Sequence, residues 1–358
     1  MRRFLVCSGF LGAGKTTTMM ALEKECRQRG IGASIISNDL GSRGLADHAY
    51  LSALGCSCSQ MTGDCICDQR ENLVSRLRRL YEEGSQIVFS DIPGFGVGAL
   101  EHVYHRLAKD YPGEFTLAPF TVVVERASLE KIMGEESAST LPDDLAYILD
   151  AQLKEADLIL LNKCDLLSDE EREDCLAFLA RTWPDTPVLC LSAATGEGAS
   201  AVMEYLLTHG SQMKKPDLGS GGVAFRKALG KMSESYLQYY ARVCCEQMDA
   251  DAYLCDLARE IRDGLRKPLW DIPHLKLFGR AEDGSFSKVD LLGIGKEPVL
   301  THPMGKPCVD LAVQLNASAA CPWGEFSRIV NGAIDRVSAA HQLSVVRFFE
   351  ESFGIMGS

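Results

Sequence analysis

The chain has 358 residues, 46% hydrophobic and 24% charged, with 49 acids against 37 bases for a formal charge of −12. That length suits two domains, and the near-average hydrophobic content excludes wholesale disorder. The acidic balance argues against non-specific nucleic-acid binding and against adhesion to anionic lipid, and no run of about 18 apolar residues marks a transmembrane helix.

Arg2 and Arg3 ahead of a short apolar run mimic a signal peptide. The run breaks at a Gly-rich loop and Lys15, and no small-residue cleavage site follows, so a cytoplasmic protein with no membrane partner is expected. In such a compartment the fourteen cysteines stay reduced. Cys7, Cys26, Cys175, Cys190 and Cys255 stand singly on apolar segments and read as small buried hydrophobes.

Leu5-Val6-Cys7 predicts a short buried strand, and Thr17 to Arg29 a helix. Between them runs Gly9-Phe10-Leu11-Gly12-Ala13-Gly14-Lys15-Thr16, a G-x-x-x-x-G-K-[ST] loop in its strand–loop–helix context. Gly9, Gly12, Ala13 and Gly14 let the backbone curl until its N–H groups converge on phosphate oxygens, and the helix that follows aims its positive end at the same point. Lys15 reaches the β- and γ-phosphates. Thr16, with Thr17 next on the helix, offers a hydroxyl to magnesium.

Ile87–Asp91 predicts a strand ending in an acid that can hold the magnesium shell; Gly94 follows, placed to direct an N–H at the γ-phosphate. Asp157–Leu161 predicts another buried strand, ending in Asn162-Lys163-Cys164-Asp165. A carboxylate there accepts both the N1–H and the 2-amino group of guanine. Adenine offers neither donor, so GTP is favoured over ATP. The stem of Lys163 can cover the base plane. Val188–Leu191 ends in Ser192-Ala193-Ala194, where a backbone N–H would meet the guanine carbonyl oxygen. Four weak motifs in order, each at the carboxyl end of a strand, make a strong set, because open α/β sheets bind ligands at those ends.

This set resembles the metal-related branch of the P-loop GTPases: CobW, UreG, HypB and MeaB. The loop GFLGAGKTT, Gly9 to Thr17, is most similar to that of CobW. Asn38-Asp39-Leu40-Gly41, after a strand at Ala33 to Ile36, resembles that family's switch segment. The resemblance implies that Asp39 lies near the magnesium. It covers about residues 1–210. It departs at Asp91, where the class usually carries Glu.

Between the switch segment and the Asp91 strand lie two Cys-x-Cys pairs, Cys56/Cys58 and Cys65/Cys67, with His48, Asp64 and Asp68 nearby. Thiolates at this density suit zinc, cobalt or nickel. Cys65-Ile66-Cys67-Asp68 resembles the Cys-x-Cys-Cys of CobW-like proteins with Asp68 as the last residue; Cys56 and Cys58 are additional. A closed four-thiolate site would hold metal structurally or tightly, and a two- or three-thiolate site with an open position would suit transfer. A redox cluster and plain packing are the bland alternatives.

Asn72 to Glu82 predicts a helix with a basic face (Arg76, Arg78, Arg79), either solvated or a partner surface. Phe120–Glu125 predicts a core strand, Gly134 to Asp144 an acidic loop, and Asp169–Arg181 and Ala199–Leu207 two helices. Six strands alternating with helices give a mostly parallel sheet covered on both faces, an α/β P-loop NTPase fold over residues 1–209. Residues 210–222 read as a linker, and 223–358 as a smaller α+β domain. There Lys231–Arg266 reads as helical with a break near Asp249. Strands follow at His274–Arg280, Phe286–Leu292 and Cys308–Asn316, then a helix at Trp323–His341 and a strand at Ser344–Phe349. Cys244, Cys245, Cys308, Cys321, His274 and His302 are more readily scattered core or surface residues than a second metal site.

The leading expectation is a GTPase that couples hydrolysis to delivery of a metal or metallocofactor to a client. Lys15, Asp91 and Gly94 carry the chemistry, and a partner or a homodimer accelerates a slow intrinsic turnover. A GTP-gated chaperone of a corrinoid enzyme with only a structural metal is the second reading. A metabolite kinase is the third, disfavoured by Asn162-Lys163-Cys164-Asp165.

Overall fold

The computed structural model describes residues 2–43, 46–133, 146–218, 222–244, 247–266 and 270–355. The expected loop at Gly134–Asp144 and Cys245 lie outside the described residues. Among the described residues the chain forms two compact units: the first takes residues up to Leu40, from Cys56 to Met133 and from Ala146 to Val223, and the second takes Gly41–Gly55 and the chain from Ala224 on.

In chain order the elements are β1 (Arg3–Ser8), α1 (Lys15–Gln28), β2 (Ala33–Asn38), α2 (Ala46–Ala53), β3 (Cys58–Met61), α3 (Arg70–Glu82) and β4 (Ile87–Asp91). A π-helical turn at Leu100–His105 runs into α4 (Arg106–Asp110). There follow β5 (Thr116–Leu117), β6 (Thr121–Val124), α5 (Arg126–Met133), α6 (Ala146–Glu155), β7 (Leu158–Leu161), α7 (Asp169–Thr182), β8 (Val188–Cys190) and α8 (Ala199–Thr208).

The strands of the first unit order as β3-β2-β4-β1-β6-β7-β8 with β5 also beside β1, and every pairing is parallel. β1, β6 and β7 are buried along their whole length, as unbroken apolar strands in a sheet covered on both faces must be. β3 and β5 add to the six strands expected. The sequence CSQM of β3 carries no apolar run; its main chain is recruited by the edge of β2. Strand order diverges on either side of β1, so the crevice for a ligand opens at its carboxyl end. On the basic face of α3, Arg78 pairs with Glu114 and Arg79 with Glu83, and both arginines stay exposed.

The first part of the predicted linker is tied to this unit. The N–H of Ser211 donates to the Leu117 carbonyl at 3.0 Å, and Lys214 donates to the Ala156 carbonyl at 2.7 Å and to Thr186 at 2.8 Å.

The second unit continues with α9 (Gly222–Leu229), β9 (Ser233–Val243), α10 (Ala250–Arg266), β10 (Asp271–Arg280), β11 (Phe286–Leu291), β12 (Val299–His302), β13 (Asp310–Ala320), α11 (Trp323–Ala340) and β14 (Leu343–Gly354). Its antiparallel sheet has the order β12-β11-β10-β13-β9-β14. Leu254, Leu257 and Ile261 of α10 and Phe326, Val330 and Ile334 of α11 are buried in its core. Residues 233–243, expected to be helical, form β9. Flanked by β13 and β14, this strand buries residues on both faces, which hides the alternation that marks a strand.

Residues 41–55, which the sequence reading placed within a 1–209 domain, belong to the second unit because α2 seats its buried residues Ala46, Tyr50 and Leu51 there. The N–H of Ala46 donates to Asn316 at 2.7 Å, and Lys276 pairs with Asp47 at 2.5 Å. The Tyr50 ring lies 6.1 Å from Phe286 and 6.5 Å from Phe278, with the Lys288 ammonium 5.0 Å from its centroid. Gly41 lies against Tyr236 so closely that a Cβ there would come within 2.5 Å of the ring.

Candidate functional site

The loop after β1 has the shape its glycines allow. Gly14 has φ +95°, and a Cβ there would stand 2.4 Å from the Asn162 amide nitrogen, so the position admits glycine alone without a shift. Lys15 opens α1 and bends back over the loop, its ammonium 2.8 Å from the Gly9 carbonyl and 3.2 Å from that of Phe10. Gly9, Gly12, Ala13, Gly14, Lys15, Thr16 and Thr17 thus form one continuous cradle at the mouth of β1.

Asn162 joins this cradle to the rest of the crevice. Its Nδ2 donates to the Ala13 carbonyl at 2.9 Å, and its Oδ1 accepts the Ala193 N–H at 3.0 Å. It is buried, so both bonds are made where water does not compete. Lys163 has φ +63°, a left-handed conformation that costs a non-glycine residue about 1–2 kcal/mol. Its ammonium offsets this by donating to the Gly12 carbonyl at 2.8 Å and pairing with Glu125. Glu125, just past β6, escaped the sequence reading: it is a partner through space 38 residues from Lys163. Asp165 is exposed in a single turn at Cys164–Leu166, its carboxylate toward solvent.

The Ser192 N–H donates to the Glu197 carbonyl at 2.9 Å, and the Ala193 N–H is held by Asn162. Both donors expected to be open to a base are therefore occupied in shaping their turn.

The register of β1 against β4 sets Cys7 opposite Asp91, which places the buried Asp91 beside the start of the loop. Its Oδ1 accepts the Asn38 N–H at 2.8 Å. Asp39 follows directly, and its carboxylate accepts the Leu40 N–H at 2.9 Å. The hydroxyl of Thr16 and the carboxylates of Asp39 and Asp91 are hard oxygen donors at adjoining strand and helix ends, a set that fits a small divalent cation such as magnesium. Gly94 lies against the loop so closely that a Cβ would come within 2.5 Å of the Leu11 side chain.

Two residues of α6, also missed from sequence, fix the segment after Asp91. Gln152 is fully buried and donates through Nε2 to the carbonyls of Gly94 and Gly96, each at 3.0 Å. Glu155 accepts the N–H groups of Gly98 and Leu100 at 2.8 and 2.9 Å. Burial nonetheless pushes its carboxyl up to about 7. Their spacing of three on one helix, both polar in an otherwise buried stretch, is the signal that could have found them.

The four clustered cysteines are not gathered into one site. Cys58 begins β3 opposite Ile35, whereas Cys65 and Cys67 come after the strand has ended at Met61. The strand alone spans about 10 Å at roughly 3.3 Å per residue. Cys56 sits beside Glu23 and Arg27 late in α1, and burial raises its thiol. Cys65 and Cys67 do come together, their sulfurs 2.9 Å apart on a turn near Asp68 and Asp91. The contact between the two thiols lowers Cys65, and the same contact together with burial raises Cys67. Among the described residues no group of three or more His, Cys, Asp or Glu side chains is arranged to hold a metal, in either unit. Cys308 and Cys321 are buried. Nor is any described helix long and apolar enough to cross a membrane.

Residues 3–213 match the family model for the CobW/HypB/UreG nucleotide-binding domain. A curated relative, the urease accessory protein UreG of Metallosphaera sedula, is 26% identical over 224 residues, covering 55% of this chain and 90% of UreG. The solved structure of HypB from Helicobacter pylori in complex with nickel is 16% identical with a TM-score of 0.40, covering 57% of this chain and 85% of HypB. The Zn(II)-bound YjiA GTPase from E. coli is 13% identical with a TM-score of 0.37, covering 92% of this chain and 98% of YjiA. The family match extends over more than half of the chain, from β1 through α8 to the segment strapped behind it: this protein belongs to the CobW/HypB/UreG family.

Proposed function

We propose that this chain binds GTP, hydrolyses it to GDP and phosphate, and uses the nucleotide state to hold and hand over a thiophilic metal ion to a client protein. The observation that carries the reading is the Cys65–Cys67 pair on a turn hydrogen-bonded to Asn38, whose N–H in turn holds Asp91. The relative named as a urease accessory protein supports a metalloprotein client. Zinc, cobalt and nickel all suit a two-thiolate pair whose remaining positions are open to a client's ligands. In this reading the nucleotide and metal chemistry belong to the first unit.

The reaction transfers the γ-phosphoryl group to water, and catalysis is positioning plus electrostatics. Lys15 and the N–H groups of Gly12 to Thr16 neutralise phosphate charge, while Gly94 directs an N–H at the γ-phosphate end. Magnesium, held by Thr16, Asp39 and Asp91, would supply further charge neutralisation. Asp165 accepts the two guanine donors, Lys163 covers the base, and the N–H of Ala194, which donates to none of the described residues, is left for the guanine carbonyl oxygen.

Titration of the reduced protein with cobalt(II), read by thiolate-to-cobalt absorption, tests the metal half. Cys65→Ser/Cys67→Ser abolishes the band and Cys56→Ser/Cys58→Ser preserves it. The opposite pattern would move the site to the other end of β3. Competition of fluorescent GDP by GTP and ATP tests the nucleotide half, with GTP expected to win by at least a hundredfold; equal competition refutes the role of Asp165.

A further inference from the structure

Asn38, the last residue of β2, is hydrogen-bonded to Asp91 on one side and to the turn that carries the thiol pair on the other. Its main-chain N–H donates to Asp91 Oδ1 at 2.8 Å. Its Nδ2 donates to the Asp64 carbonyl at 2.9 Å, with the Met61 carbonyl at 3.4 Å, and its Oδ1 accepts the Ile66 N–H at 3.0 Å. Ile66 is the residue between Cys65 and Cys67, and its own side chain is 1% exposed, which leaves the turn little freedom of its own. Asn38 is 5% exposed, so these bonds are made away from bulk water.

We infer that Asn38 is the positioning residue that couples the nucleotide state to the geometry of the Cys65–Cys67 pair. The inference rests on the reading given above. A carboxylate that turns toward the phosphate end of the crevice changes what the Asn38 N–H can donate to, and the main chain at Asn38 follows. The short side chain, with two torsions and bonds at both ends of its amide, carries that displacement to Asp64 and Ile66. The two sulfurs flank Ile66, so they move with it. A residue that merely fastened the turn would change metal affinity equally in both nucleotide states. A coupling residue changes the ratio between them.

The experiment measures cobalt(II) affinity of the full chain in GDP and in a non-hydrolysable GTP analogue. For the parent protein the two affinities are expected to differ by about 5- to 150-fold, the usual span of allosteric coupling. In Asn38→Ala the ratio collapses to within about twofold of unity, while binding of fluorescent nucleotide stays within about threefold of the parent, because every residue but proline keeps the N–H to Asp91. Asn38→Asp keeps the acceptor for Ile66 and loses the donor to Asp64. It gives an intermediate ratio, and it decides the matter if the alanine variant does not fold. A parent ratio of unity overturns the functional reading and this inference with it. A parent ratio above five that survives in the variants overturns the coupling role of Asn38 and leaves the functional reading standing.

Discussion

Asn162 offers the sharpest test of how the crevice is assembled, because one buried amide holds two loops. Asn162→Ala leaves the Ala13 carbonyl and the Ala193 N–H without the partners they have at 2.9 and 3.0 Å. Orphaning a buried polar group costs about 1–3 kcal/mol. Two such groups give about 2–6 kcal/mol, and because both belong to loops that can relax toward water the low end of that range applies, about 2–3 kcal/mol. In the proposed reading the loss falls on the nucleotide-ready arrangement, since Ala13 precedes the glycine that caps α1 and Ala193 lies in the turn proposed to face the base. At 1.4 kcal/mol per decade, affinity for GDP drops about 30- to 150-fold. If instead the cost falls on the free protein, the melting temperature drops by about 2–4 °C per kcal/mol. Titration of a fluorescent guanine nucleotide and a thermal melt on the same sample separate the two. Asn162→Asp is a useful companion: its carboxylate still accepts the Ala193 N–H but faces the Ala13 carbonyl with no proton to give. Affinity within threefold of the parent together with an unchanged melt would refute the argument that this amide fastens the loops.

Three further outcomes follow from contacts described above. Gln152→Ala removes two hydrogen bonds to the Gly94 and Gly96 carbonyls, worth about 0.5–1.5 kcal/mol each, so single-turnover GTP hydrolysis slows about 5- to 150-fold while GDP affinity is nearly unchanged; an unaltered rate would remove Gln152 from the catalytic geometry. Glu155, raised from 4.5 to about 7 by burial, binds a proton in the folded state that it has shed in the unfolded one. Its favourable contribution is therefore complete below about pH 4.5 and is lost as pH rises through about 7. Denaturant titrations across that range show this slope in the parent and a shallower one in Glu155→Gln, and identical slopes would contradict it. Tyr50→Ala strips α2 of its ring contacts with Phe278 and Phe286 and of the Lys288 ammonium. A loss of about 3–5 kcal/mol is expected for a large buried side chain, and a melt of the second unit within 2 °C of the parent would show that α2 is not seated as described.

The nucleotide crevice was legible because its signals are local. The curl of Gly9 to Gly14 and the fold of Lys15 back over it follow from a few consecutive residues whose chemistry admits few alternatives. What could not be read were the partners supplied from far along the chain. Glu125 meets Lys163, and Asn38 meets both Asp91 and Ile66, with no periodicity to announce either. The cysteines misled for the same reason. Spacing alone made them one cluster, and only the position of β3 shows that Cys58 and Cys65 lie at different ends of a strand. In the second unit, β9 was mistaken for helix because Tyr236, Tyr239 and Tyr240 recur at intervals of three and four as well as alternating, and a strand buried on both faces hides its period.

The seating of α2 also has a cost in time during synthesis. Ala46 and the Asn316 that receives its N–H are 270 residues apart. At roughly 5–20 residues per second, Tyr50 and Leu51 leave the ribosome about a quarter of a minute to a minute before the seat of α2, built from β10 through β13, is complete. Through that interval the nascent chain displays an apolar helix with no seat, between the strands that carry Asn38 and Cys58. Slowing or halting elongation before residue 310 should make this segment a preferred target for chaperones and proteases. A fragment ending near residue 209 would keep that exposure permanently, so such a fragment should be less soluble than its self-contained parallel sheet alone would suggest.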